Sequence, residues 1–203
     1  MHHLRKKVTH MMPNIIKESS RGFDRVTIED ELFLSRKIFL TEKVDSASMD
    51  SLIKQILFLN DKDPKKEITI YINSPGGEVH SGLAAYDLLC MTKAPITTVC
   101  IGEAASMAAI LFLAGKRRIM LPSSTIMIHD PSPGGGSLTG MKPYQIEEKL
   151  SGLKKTRDQL CSIISEKTGK TVKQVMKKTC KDSFFTAEES LNYGLATEIA
   201  ERI

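Results

Sequence analysis

The spacing of apolar side chains changes several times along this 203-residue chain, and each change predicts an element. Met49, Leu52, Ile53, Ile56 and Leu57 follow the i, i+3, i+4, i+7, i+8 spacing of an amphipathic helix. Asp45-Ser46-Ala47-Ser48 supplies its starting residues, and Lys62-Asp63-Pro64 breaks it. The period then falls to two. Glu67 to Ile72 alternates and is rich in β-branched residues, which predicts a strand. Asn73-Ser74-Pro75-Gly76-Gly77 forms a loop, and a helical pattern runs from Val79 to about Met91, ended by Pro95. Ile96 to Ile101 predicts the next strand, Gly102 a turn, and about Ser106 to Ala114 a third helix, stopped by Gly115. Arg118 to Leu121 and Thr125 to Ile128 read as two more short strands. A strand followed by a tight turn and a helix thus occurs twice, which predicts an α/β fold with parallel strands and helices on the sheet faces. Ligands of such sheets bind past the carboxyl ends of the strands, where the Gly76-Gly77 and Gly102 turns are both expected.

The flanks are less regular. Residues 1 to about 20 lack a strong period and read as a flexible arm, and Val26-Thr27-Ile28 and Lys37 to Leu40 are short strand candidates. A Gly/Ser/Pro-rich break spans residues 131–137. A long helix follows from near Lys142-Pro143 to Lys167-Thr168-Gly169-Lys170. Its apolar stripe, Ile146, Leu150, Leu153, Leu160 and Ile164, is narrow and interrupted by Arg157, and the opposite face is dense with charge. That pattern fits a helix that meets a partner along one seam, and fits a plain surface helix equally. Thr171 with Gln174, and Thr186 with Glu189, are capping boxes that start two further helices, the second closed by Gly194.

Composition narrows the classes. Hydrophobic residues are 41% of the chain, enough for one buried core, and no run reaches the ~18 apolar residues of a membrane helix. The basic start, Met1 to Lys7, is not followed by the apolar core and cleavage site of a secretory signal, so a cytoplasmic location is expected. The net charge of +5 raises nucleic acid as a partner, but the basic residues are scattered and no Trp is present, so no stacking stripe forms. Cys90, Cys100, Cys161 and Cys180 have no metal spacing, and buried, reduced thiols are expected.

Four segments carry candidate chemistry. Ser106 lies in a small-residue stretch between a buried strand and a helix. Free N–H groups and the helix dipole favour negative charge there, which suits a nucleophile, while serine is also a preferred N-cap. His129 ends an apolar strand, where a half-buried imidazole serves as a general base or as a hydrogen-bonded structural residue. Asp182 precedes Phe184-Phe185, an acid that neighbouring aromatics would desolvate and that would orient a histidine, or else a surface turn residue. Gly76-Gly77 permits close backbone approach, with the Gly77 N–H a candidate donor to a substrate carbonyl, or is simply a tight turn.

Gly102-Glu103-Ala104-Ala105-Ser106-Met107-Ala108, with Met127-Ile128-His129-Asp130-Pro131, resembles the proteolytic subunits of the Clp protease family. Tyr71 to Gly77, Asp182 to Glu189 and Tyr193 to Ala196 extend the likeness, which runs from about Pro13 to Ile203. The resemblance implies a crotonase-like ββα superhelix with a protruding handle helix at about residues 143–168. It divides the chain into an N-terminal segment and axial loop, residues 1–30, and a protease domain, residues 31–203. It implies a serine peptidase triad of Ser106, His129 and Asp182, with Gly77 and Met107 N–H groups as the oxyanion hole. It implies two stacked heptameric rings, of this chain alone or with a paralogous subunit. A hexameric AAA+ unfoldase would dock near Tyr71 and feed in unfolded proteins. No cofactor, metal, nucleic acid or membrane is implied.

Four positions depart from the family pattern. Asp130 stands where many members have Gln, and Glu103 where a neutral residue is more usual, each adding negative charge near the site. Cys180-Lys181 replaces an Asp-Arg pair used for contacts between rings, and lysine lacks the arginine fork. These departures make a mixed barrel with a paralogue the expected assembly. The competing expectations are a non-catalytic subunit of such a barrel and an acyl-CoA enzyme on the same scaffold, with Glu103 and Glu78 as its candidate acids.

Overall fold

The structure is a computed structural model that describes residues 13–19, 22–132 and 140–202. The first dozen residues of the expected arm, and residues 133–137 of the Gly/Ser/Pro-rich break, lie outside the described residues. Two compact units divide between Lys37 and Ile38.

In the first unit, β1 (Asn14–Ser19) and β2 (Gly22–Thr27) pair antiparallel, with Ile15 opposite Val26 and Lys17 opposite Asp24. The arm expected to lack structure therefore contains a strand, held by a partner that local periodicity does not reveal. The strand expected through Ile28 stops at Thr27. There the Thr27 hydroxyl accepts from the Asp30 N–H and the Asp30 carboxylate accepts from the Thr27 N–H, a capping box that starts α1 (Ile28–Leu34).

The second unit is a mixed sheet with helices. Its path runs β3 (Lys37–Leu40), β4 (Ile68–Ser74), β5 (Ile96–Ala105), β6 (Arg117–Met120) and β9 (Glu198–Ile199). Helices α2 (Ser46–Lys62) and α3 (Val79–Met91) lie at the predicted places. Met49, Leu52, Ile56 and Leu59 form the buried face of α2, whereas Leu57 is exposed. Every residue of α4 (Met107–Leu113) is buried, as its unbroken apolar sequence requires. The chain continues through β7 (Thr125–Ile128), α5 (Pro143–Thr168), α6 (Val172–Thr179), β8 (Ser183–Phe185) and α7 (Ala187–Tyr193). β4–α3–β5 and β5–α4–β6 are the expected parallel crossovers.

One strand departs from expectation in a way that makes the site. β5 does not turn at Gly102. It continues to Ala105 through a bulge opposite Asn73, where the register passes from Ile72–Cys100 to Ser74–Ala104. A Cβ on Gly102 would lie 2.5 Å from Asn73 Oδ1, so glycine lets that side chain cross the strand and accept the Glu103 N–H at 3.0 Å. Beyond the bulge β5 leaves β6 and takes β7 as its parallel neighbour.

Arg118 ties the far side together. Its guanidinium donates to the carbonyls of Leu195 (2.7 Å), Gly194 (3.1 Å), Lys167 (3.2 Å) and Gly115 (3.3 Å). Burial holds it below the usual arginine range. The four cysteines are free. Cys100 and Cys161 are buried as expected, and Cys90 and Cys180 are exposed, because each falls outside the inward-facing set of its helix or turn.

Candidate active site

Strand register brings three distant residues together. Ala105 pairs with Met127, and the Ser106 N–H donates to the Met127 carbonyl at 2.8 Å. His129 lies two residues further along and so points to the same side as Met127. β8 runs antiparallel to β7, with Ile128 opposite Ser183, and the next pair outward is His129 with Asp182. The side chains meet there. His129 Nε2 is 2.8 Å from Ser106 Oγ, and Nδ1 is 3.1 Å from Asp182 Oδ1. An ionised carboxylate only accepts, so the Nδ1–H donates to Asp182 and Nε2 is left to accept from the serine hydroxyl.

Ser106 occupies the N-cap position of α4, but its side chain makes no cap hydrogen bond. Its hydroxyl is turned to His129 instead. Its backbone, at φ 55° and ψ −121°, lies where a side chain is strained, on a sharp strand-to-helix elbow. The preceding loop accommodates the elbow. A Cβ on Gly76 would lie 2.4 Å from the Ala105 carbonyl and 2.8 Å from Met107 N. Gly77, at φ 153°, would place a Cβ on the Val44 carbonyl, whose loop it bridges. Gly77 borders the groove at Ser106, and Met107 begins α4, where the first N–H groups have no intrahelical acceptor.

An open groove of ≈ 650 Å³ runs over Ser106 and His129, between the Gly76-Gly77 loop and Leu153 and Thr156 of α5. A smaller pocket of ≈ 20 Å³ opens beside it, walled by Ile110, Ile128, Leu160 and Ile164, with Asp130 and Arg157 also at its lining. The Asp130 N–H donates to the Thr179 carbonyl at 2.6 Å, joining the end of β7 to the end of α6 just before Asp182. Beneath, Cys161 and the Thr179 hydroxyl are 3.6 Å apart, and burial pushes the Cys161 thiol above its ordinary range.

Several expectations change. Asp182 is not desolvated, because its side chain is 63% exposed. Strand alternation explains this: Asp182 shares the outer face of β8 with exposed Phe184, while Phe185 turns into the core. His129 is half-buried as expected, with 28% of its side chain exposed. Glu103 borders neither the groove nor the pocket, being three residues of extended strand, about 10 Å, behind Ser106. Glu78 borders the groove and accepts from the Ser81 hydroxyl at 3.0 Å. Tyr71 stands apart from all of these. It stacks on Phe39 with ring centroids 4.9 Å apart and borders a separate groove with Val99, Arg117 and Glu198. Thr179 and the α5 wall went unread in the sequence; the one available signal was Arg157, a charge set in an apolar stripe.

Among the described residues no group of His, Cys, Asp or Glu is placed to hold a metal ion, and no helix is long and apolar enough to cross a membrane. Residues 20–203 match the family model described as Clp protease.

Proposed function

The chain belongs to the Clp protease family, and from that premise we propose that it is a serine endopeptidase subunit with Ser106, His129 and Asp182 as its triad. The family accounts for a peptidase with a ClpP-like fold. The observation that carries the finer reading is the His129 ring, bridging Ser106 Oγ and Asp182 Oδ1 at 2.8 and 3.1 Å beneath an open groove.

Ser106 Oγ attacks the peptide carbonyl carbon as His129 Nε2 takes its proton. The Gly77 and Met107 N–H groups hold the oxyanion of the tetrahedral intermediate. His129 then protonates the leaving nitrogen, the C–N bond breaks, and an acyl-serine remains. Water adds to the acyl carbon, giving its proton to His129, which returns it to Ser106 as the acid product leaves. Asp182 keeps the imidazole in the tautomer that accepts from serine. No cofactor enters these steps.

The assembly is a barrel of two stacked heptameric rings in the cytoplasm. Helix α5 is the handle between rings, and the N-terminal segment lines the axial entry. A hexameric AAA+ unfoldase docks at the Tyr71 groove and delivers unfolded proteins. The exposed Asp182–His129 bond supports a need for assembly, since a solvent-exposed pair of this kind contributes little by itself. Exposed Cys180 and Lys181 support pairing with a paralogous subunit. The acyl-CoA alternative has less support: Glu78 is tied to Ser81, and Glu103 is distant from Ser106.

The test is fluorophosphonate labelling and peptide turnover of the assembled protein, with and without the paralogue. Ser106→Ala is expected to abolish labelling and lower kcat by at least ~10³-fold. Turnover that survives the substitution would overturn the reading.

A further inference from the structure

Asp130 directly follows His129, and its Oδ1 is buried with no hydrogen-bond partner among the described residues. Such an oxygen is unfavourable without a donor. Among the described residues, the small pocket that Asp130 borders has one cation in its lining, Arg157 of α5. Thr179, the pocket's hydroxyl-bearing neighbour of Asp130, faces Cys161. Arg157 itself donates from Nε (3.0 Å) and Nη2 (2.7 Å) to Oδ1 of Asp158, the next residue on the same helix. Adjacent helix residues do not face each other, and the Asp158 side chain is 55% exposed, so this bond competes with water. The Asp158 hydrogen bond, followed by the charges of Asp158 and Asp130, holds the Arg157 guanidinium above its usual range.

We propose that Asp130 and Arg157 are paired positioning residues: Arg157 swings from Asp158 to the vacant Asp130 oxygen, clasping α5 to the end of β7 and fixing His129 for proton transfer. The inference rests on the serine peptidase reading above. It requires only side-chain rotation, because the guanidinium has donors to spare and both residues border one pocket. The clasp restrains the chain one residue after the imidazole, and it neutralises the carboxylate nearest that ring in sequence. Neither side chain is asked to touch substrate, so the effect falls on kcat.

The experiment measures kcat and KM of the assembled protein for Asp130→Asn, Arg157→Gln, the double variant and the charge swap Asp130→Lys/Arg157→Glu. Fluorophosphonate labelling of Ser106 and native mass are recorded beside them. Each single change is expected to lower kcat about tenfold with KM little altered, within the coupling range of residues in one network. The double variant is expected to fall no further than the worse single, and the swap to recover most of the loss. Arg157→Lys, which preserves a single donor contact to one oxygen, is expected to retain more activity than Arg157→Gln even if an Asp130 variant fails to assemble. Additive losses, unchanged singles, a change confined to KM, or Lys no better than Gln would each overturn the clasp. A wild-type protein that neither labels nor cleaves would instead overturn the peptidase reading beneath it.

Discussion

From Pro143 to Gln159, α5 has no fully buried side chain, whereas between Leu160 and Thr168 it buries Leu160, Cys161 and Ile164. The two halves form one continuous helix with one apolar stripe, so the difference comes from what lies against each. The second half packs with α4 and α6 and walls the pocket beside Ser106. The first half leaves Tyr144 60% and Leu150 49% exposed on a surface otherwise rich in charge. Leu150 belongs to the apolar stripe, and its exposure is what the proposed contact between rings would cover. A single stripe thus serves the protomer's own core at one end and, in the proposed barrel, another subunit at the other. Leu153 and Thr156 border the groove between these two stretches, with Arg157 beside them.

The largest effect expected from breaking this contrast is at Ile164. Ile164→Ala removes a fully packed side chain and is expected to cost about 2–5 kcal/mol, read as a lower urea midpoint of the protomer. Leu150→Lys alters the same stripe at its exposed end. It is expected to change protomer stability by no more than about 0.5 kcal/mol, while native mass spectrometry shows loss of stacked rings. A destabilised Leu150→Lys protomer, or an intact double ring, would erase the distinction between the halves. The tenfold coupling proposed for Asp130 and Arg157 sharpens it, because that pair sits where the two regimes meet.

The arginines of the second unit make a related point. Arg118 and Arg157 look alike in sequence, each a cation near apolar residues. Arg118 is satisfied by four backbone carbonyls and acts as a fixed tie. Arg157 is held by an exposed neighbour while a buried carboxylate oxygen borders the same pocket. Carbonyl partners supplied by folded turns cannot be read from a local pattern. The interruption of the α5 stripe could be read, although its purpose could not.

Legibility followed the range of the interactions. The capping boxes at Thr171 and Thr186 and the αL glycine at Gly194 were readable because caps act over a few residues. The α1 box at Thr27 has the same chemistry but went unread, since Asp stands where Glu or Gln is the usual signal. The hairpin of β1 and β2 went unread because its residues alternate weakly and lean on pairing. Gly102 was misread as a turn because glycine permits a bulge as readily as a turn, and Asn73 decides between them. The identities of Ser106, His129 and Asp182 stood out through their motifs, whereas the exposure of Asp182 depended on which face of β8 it occupies.

By itself the amino-acid order determined the helices of the α/β unit, its strands as far as β7 and the residue types available for chemistry, because periodic burial and end-capping are written in neighbouring positions; the short β8 and β9 carry too few residues to show a period. Only the tertiary structure decided that β5 would exchange β6 for β7 at its bulge, and that β8 would pair so that Asp182 comes level with His129. Strand partners are chosen by packing and backbone hydrogen bonds across long stretches of chain, and a one-residue slip would turn these side chains to opposite faces. Gly76 likewise acquires its reason only beneath the Ser106 elbow, where no side chain fits.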